Sequence, residues 1–177
     1  MNIFRTLFGG RKNSKEEKHN EEQNFDALKN DGVCALKQHQ LDRAVQCLTR
    51  AIQLDGADLE CRDYLSQAYA GLGDLASAYE QLQSIAEARP GDAAVLIRMA
   101  EMACTMKNYT AMSDACEKAL LLDGKNAQVY YLYAKACRGL GDATNTIAML
   151  TRAISLDANF DAARQLLREV MSIYNNE

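Results

Sequence analysis

Apolar residues along this chain recur at helical spacing rather than in the alternation of strands. Leu65, Ala68, Tyr69 and Leu72 fall on one stripe, and Leu75, Ala78, Leu82 and Ile85 form a second stripe directly after it. Gly73 suits the end of the first helix and Asp74 the N-cap of the second, while Pro90 and Gly91 close the pair. A lone helix cannot hide such a stripe, so the pattern predicts helix pairs that stack on one another.

The pattern repeats. GLGD at 71–74 returns as GLGD at 139–142, twice 34 residues away, with TMKN at 105–108 one step between them and KQHQ at 37–40 one step upstream. The junctions LDGAD at 54–58, RPGD at 89–92, LDGKN at 122–126 and LDANF at 156–160 keep the same period. The chain therefore divides into blocks 25–58, 59–92, 93–126 and 127–160, each predicting two helices. Residues 161–177 add one amphipathic helix suited to cap the last pair.

A period of 34 residues with small residues at fixed helix crossings resembles the tetratricopeptide repeat, or TPR. The eighth residue of each block is small: Gly32, Ser66, Ala100 and Ala134. The twentieth is Ala44, Ala78, Met112 and Thr146, and the twenty-seventh is Ala51, Ile85, Ala119 and Ala153. At the twenty-fourth stand Leu48, Leu82, Cys116 and Leu150. The chain departs from the family at Asp31, where an apolar residue is usual, and keeps the family's terminal Pro only at Pro90. The resemblance implies an all-α, TPR-like alpha-solenoid: four helix-turn-helix repeats plus a C-terminal capping helix.

In TPR proteins the first helices of successive pairs line a concave groove that holds a peptide or helix. Carried over, that groove takes Lys29, Asn30 and Val33, then Asp63, Tyr64 and Gln67, then Ile97, Arg98 and Glu101, and last Tyr131, Leu132, Lys135 and Arg138. Basic and apolar side chains on such a face suit a segment with an acidic group and an apolar anchor; the alternative is an ordinary solvated face. Some TPR domains clamp a chaperone's C-terminal carboxylate. Of the places that do so, Lys29 and Arg98 match here, whereas Val33, Tyr64 and Ala94 do not, which argues against that role.

Composition agrees with helices. The chain of 177 residues has 27 Ala, one Pro and no Trp, and only 19 Val, Ile and Thr. Its length suggests one domain. The net charge of −4 conceals an asymmetry: residues 1–20 carry five cations and two anions, or +3, leaving −7 on the rest. An acidic body lacks the clustered positive charge that nucleic-acid binding needs. No apolar run reaches the roughly 18 residues of a membrane span, and MNIFRTLFGGRK does not read as a secretory signal, so a cytoplasmic setting is expected.

The six cysteines, Cys34, Cys47, Cys61, Cys104, Cys116 and Cys137, form no CxxC and have no His at metal-ligand spacing. They read as small packing residues. His19 and His39 are the only histidines, and no HExxH, GxSxG or phosphate loop is present. No enzyme activity, metal or cofactor is expected. Residues 1–24 read as an amphipathic start followed by a polar tether. Ile3, Phe4, Leu7 and Phe8 share one side of a helix beside Arg5 and Arg11. Three readings stand: weak peripheral membrane contact through residues 1–12, docking into a TPR groove (its own or a neighbour's), or a start with no specific role.

The function expected is a non-catalytic scaffold or adaptor binding a protein or peptide partner. The alternative is a dedicated chaperone for a secreted or membrane-active client, resembling the TPR chaperones of type III secretion translocators.

Overall fold

The computed structural model describes residues 10–174 of the chain, with side chains from 24 to 173. Among these residues every regular element is a helix: α1 (Gly10–Lys37), α2 (Leu41–Leu54), α3 (Leu59–Leu72), α4 (Leu75–Ala88), α5 (Ala93–Thr105), α6 (Tyr109–Leu122), α7 (Ala127–Gly139), α8 (Ala143–Leu156) and α9 (Asp161–Tyr174). The chain forms two compact units, Met1–Gln81 and Leu82–Glu177.

In the first unit α2 packs against both α1 and α3, and α1 also meets α3 directly. Its core gathers Ala35, Ala44, Leu48, Ala51, Cys61, Leu65 and Ala68, with Phe25, Leu28 and Tyr64 packed around it. In the second unit α5 pairs with α6, α6 with α7, α7 with α8 and α8 with α9, while α5 also meets α7. The core at its C-terminal end is built from Ala134, Leu150, Ala153, Ala163, Leu166 and Val170.

All the residues at the eighth, twentieth, twenty-fourth and twenty-seventh places of the 34-residue register are buried. Small residues there permit close helix approach. A Cβ on Gly32 would lie 2.6 Å from Leu48 Cγ, so α1 and α2 touch through the missing side chain. The turn between paired helices also repeats. His39, Gly73, Lys107 and Gly141 all take left-handed backbone, with φ of 58°, 81°, 56° and 79°. Asp74, Asn108 and Asp142 then cap the second helix by accepting backbone N–H bonds from Ser77, Ala111 and Asn145. Gln40, at the same place before α2, makes no side-chain cap.

The polar stretch read as a tether is helical from Gly10 onward. Its residues are mostly good helix formers, without Pro, and Lys12–Glu16 and Lys18–Glu22 stand four apart with opposite charge. Ile3, Phe4, Leu7 and Phe8 lie outside the described residues.

Candidate partner-binding face

Each unit brings first helices side by side, and the predicted groove residues divide between the two. In the first unit, Lys29, Asn30 and Val33 ride on α1 and Asp63, Tyr64 and Gln67 on α3. Lys29 is tied down: its Nζ donates to Asp58 Oδ2 at 2.9 Å and to Glu60 Oε2 at 2.7 Å, and lies 5.8 Å from the centre of the Phe25 ring. The Tyr64 hydroxyl donates to Glu60 Oε1 at 3.2 Å, and Gln67 Nε2 donates to Asp63 Oδ2 at 3.0 Å. Asn30 is exposed and Val33 half-buried.

The charges here hold one another. Burial by itself would lower the Lys29 pKa, but the bonds to Glu60 and Asp58 outweigh it and raise the group above the ordinary lysine value. Burial would raise Asp58; the Cys61 N–H, which it caps at 2.6 Å, and the Lys29 ammonium hold it below its usual range. Hydrogen bonds from Lys29 and Tyr64 lower Glu60. With two carboxylates around one ammonium, this cluster is net acidic. Lys29 therefore serves as a latch between α1 and the start of α3.

The second unit differs. Ile97, Arg98 and Glu101 stand on α5, and Tyr131 and Lys135 on α7. Lys135 Nζ lies 5.8 Å from the centre of the Tyr131 ring, and that ring meets Phe160 at 5.0 Å, tilted by 49°. A hydrogen bond to the Cys104 thiol, opposed by burial, raises Lys135 above the ordinary lysine value. Ile97, Arg98, Tyr131 and Lys135 are half-buried, while Glu101 is exposed. Arg138 Nη1 donates to Glu169 Oε2 of α9 at 3.3 Å, which ties it to the capping helix. Leu132, assigned to the groove by register, is only 4% exposed and belongs to the core.

Two participants escaped the sequence reading. Cys104 occupies the twelfth place of its block, as Arg138 does in the next, so register alone could have found it. Phe160 is the final residue of the last repeat, and no sequence signal points to its contact with Tyr131.

The buried thiols fit packing roles. Desolvation pushes Cys61 up to about 11 and Cys116 up to about 12, and raises Cys137 as well. Among the described residues no group of three or more His, Cys, Asp or Glu could hold a metal ion, and no helix is long and apolar enough to cross a membrane.

Family models described as tetratricopeptide repeat match residues 35–102 and residues 127–160. The chain belongs to the tetratricopeptide repeat family. Similar solved structures include a MamA RS-1 ArsTM double mutant, with a TM-score of 0.76 at 20% identity, covering 86% of this chain and 85% of that one. MamA 41-end from Desulfovibrio magneticus RS-1 aligns with a TM-score of 0.74 at 20% identity over 86% of both chains. A further MamA protein gives 0.72 at 17% identity, over 87% of this chain and 90% of the other. Identities this low speak to the helical-repeat fold alone. No curated protein sequence matches the chain.

Proposed function

We propose that this TPR chain is a non-catalytic scaffold or adaptor that holds a peptide or helix of a partner protein on the first-helix face of its second unit. The Tyr131–Lys135 pair carries the reading: a half-buried aromatic ring, braced by Phe160, with an ammonium held over it. Tyr offers large contact area at small entropic cost, and an adjacent cation suits an acidic group on the partner. The first unit's face is acidic rather than cationic, because Lys29 is engaged by Asp58 and Glu60. A chaperone shielding a long apolar segment fits less well, since Arg98, Glu101 and Lys135 interrupt the apolar surface of the second-unit face. The reading places the protein in the cytoplasm and needs no membrane contact.

The test is affinity purification of partners from native lysate, followed by calorimetry on the complex so isolated. Tyr131→Ala and Lys135→Ala should each weaken it by about 1–3 kcal/mol, while Lys118→Ala on exposed α6 should not. Equal losses in all three variants would overturn the assignment of the face.

A further inference from the structure

Helix α2 and the second half of α3 border an open groove of about 490 Å³, lined by Val45, Gln46, Cys47, Thr49, Arg50 and Tyr69, all in the first unit. That volume lies within the range of small-molecule sites. Val45 and Tyr69 are half-buried and rest against the unit's core, so the groove's apolar wall is fixed from behind. Gln46 and Arg50 stand one turn apart on α2 and are exposed. Among the described residues neither makes a side-chain hydrogen bond or ion pair, and the Tyr69 hydroxyl makes none either. The five N–H donors of the Arg50 guanidinium are therefore all open to a guest.

Thr49 supplies a second observation. Its Oγ1 is buried and has no hydrogen-bond partner. Inside a helix the usual relief is the carbonyl four residues back. Thr146 takes it from Asp142 at 2.6 Å and Thr151 from Ile147 at 2.8 Å, whereas Thr49 leaves the Val45 carbonyl unused. A buried hydroxyl without a partner is costly. Rotation about its Cα–Cβ bond exchanges hydroxyl and methyl, so a guest that accepts a hydrogen bond can draw the hydroxyl to the groove wall.

These donors select the guest. Arg50 is the one formal charge among the lining residues, and its planar fork matches a carboxylate through two parallel bonds. Residues 24–81 carry nine Asp and Glu against five Lys and Arg, or −4. That field disfavours a polyanion such as nucleic acid or an anionic membrane, while a single negative charge satisfies Arg50. Val45 and the Tyr69 ring suit an apolar or aromatic body. We propose that this groove binds a free organic monocarboxylate with such a body, its carboxylate on Arg50 and its body against Val45 and Tyr69. The site is separate from the Tyr131–Lys135 face and does not rest on it.

Amide NMR shifts and calorimetry on the full chain with phenylacetate test this. Saturable shifts should appear at residues 45–50 and at Tyr69. Phenylacetate should slow alkylation of Cys47 and leave that of exposed Cys34 unchanged. Uncharged phenylacetamide, and phenylacetate with Arg50→Gln, should each bind about tenfold more weakly, the ratio that one charge-assisted hydrogen bond supplies. Thr49→Val should also weaken binding, yet the free protein should melt no lower, because the hydroxyl has no partner to lose. Tyr131→Ala should bind phenylacetate like the parent. The proposal is overturned if phenylacetate gives no saturable shift, if the amide binds equally, or if Arg50→Gln or Thr49→Val, with unchanged circular dichroism, binds like the parent. It is equally overturned if acetate alone reproduces the shifts or if Tyr131→Ala abolishes them. Binding only of an acetylated peptide ending in phenylalanine would overturn it too, by giving the groove to the end of a protein chain.

Discussion

At the scale of single residues, the turn inside each pair makes the same demand four times. Its left-handed residue is glycine at Gly73 and Gly141 but His39 and Lys107 in the other two turns. A side chain there costs on the order of 1–2 kcal/mol, partly offset by the entropy a glycine would lose on folding. Lys107→Gly should therefore raise stability by up to about 1 kcal/mol in urea denaturation. The residue after this turn tells a similar story. Gln40→Asp should supply the missing N-cap of α2 and add about 1 kcal/mol, read from the same titration. Thiols give a second check. Burial raises Cys61, Cys116 and Cys137, so a thiol reagent at neutral pH should label exposed Cys34 first and reach those three only on unfolding. Gly73 and Asp74 announce their roles in the sequence. His39 and Lys107 do so only through the register, because neither residue type signals a left-handed turn.

At the scale of elements, the latch between α1 and α3 predicts a pH response. Asp58 and Glu60 have folded pKa values below their ordinary 3.8 and 4.5. Their contribution is complete above those ordinary values and is lost as pH falls through the lower folded ones. Lys29 is shifted upward, so its contribution is complete below its ordinary 10.5 and is lost as pH rises through the higher folded value. Stability from this cluster should be flat across neutral pH and decline at both extremes. Lys29→Met should make the acid decline shallower, measured by urea midpoints from pH 7 to pH 3. If both proteins lose stability in parallel, the latch contributes nothing. Helix boundaries were readable from apolar spacing and caps for α2 to α9. The start of α1 was not, because its first half has no apolar stripe and its helical form rests on propensity and charge spacing.

At the scale of the whole molecule, the 34-residue register governs packing in both units. Ala44 and Ala119 are at most 1% exposed at crossings that leave room for a methyl group only. Ala44→Leu and Ala119→Leu should each cost about 1–3 kcal/mol by overpacking. Unchanged denaturation midpoints in both would show the register misassigned. The two units present first-helix faces of different character, the first acidic around Lys29 and the second carrying Arg98, Lys135 and Tyr131. The charge of each residue was plain in the sequence, but its availability was not.

By itself the sequence determined the repeat, the helices and the buried places, because each depends on spacing along the chain: 3.6 residues within a helix and 34 between blocks. Tertiary structure decided what the exposed-looking residues do. Lys29 finds its carboxylates 29 and 31 positions away, and Arg138 finds Glu169 at 31. Leu132 is covered, and Tyr131 meets Phe160, only once helices pack. Periodicity assigns a residue to a face of its own helix, whereas the partner across from that face comes from another element. That is why the fold was legible before the structure and the chemistry of the face was not.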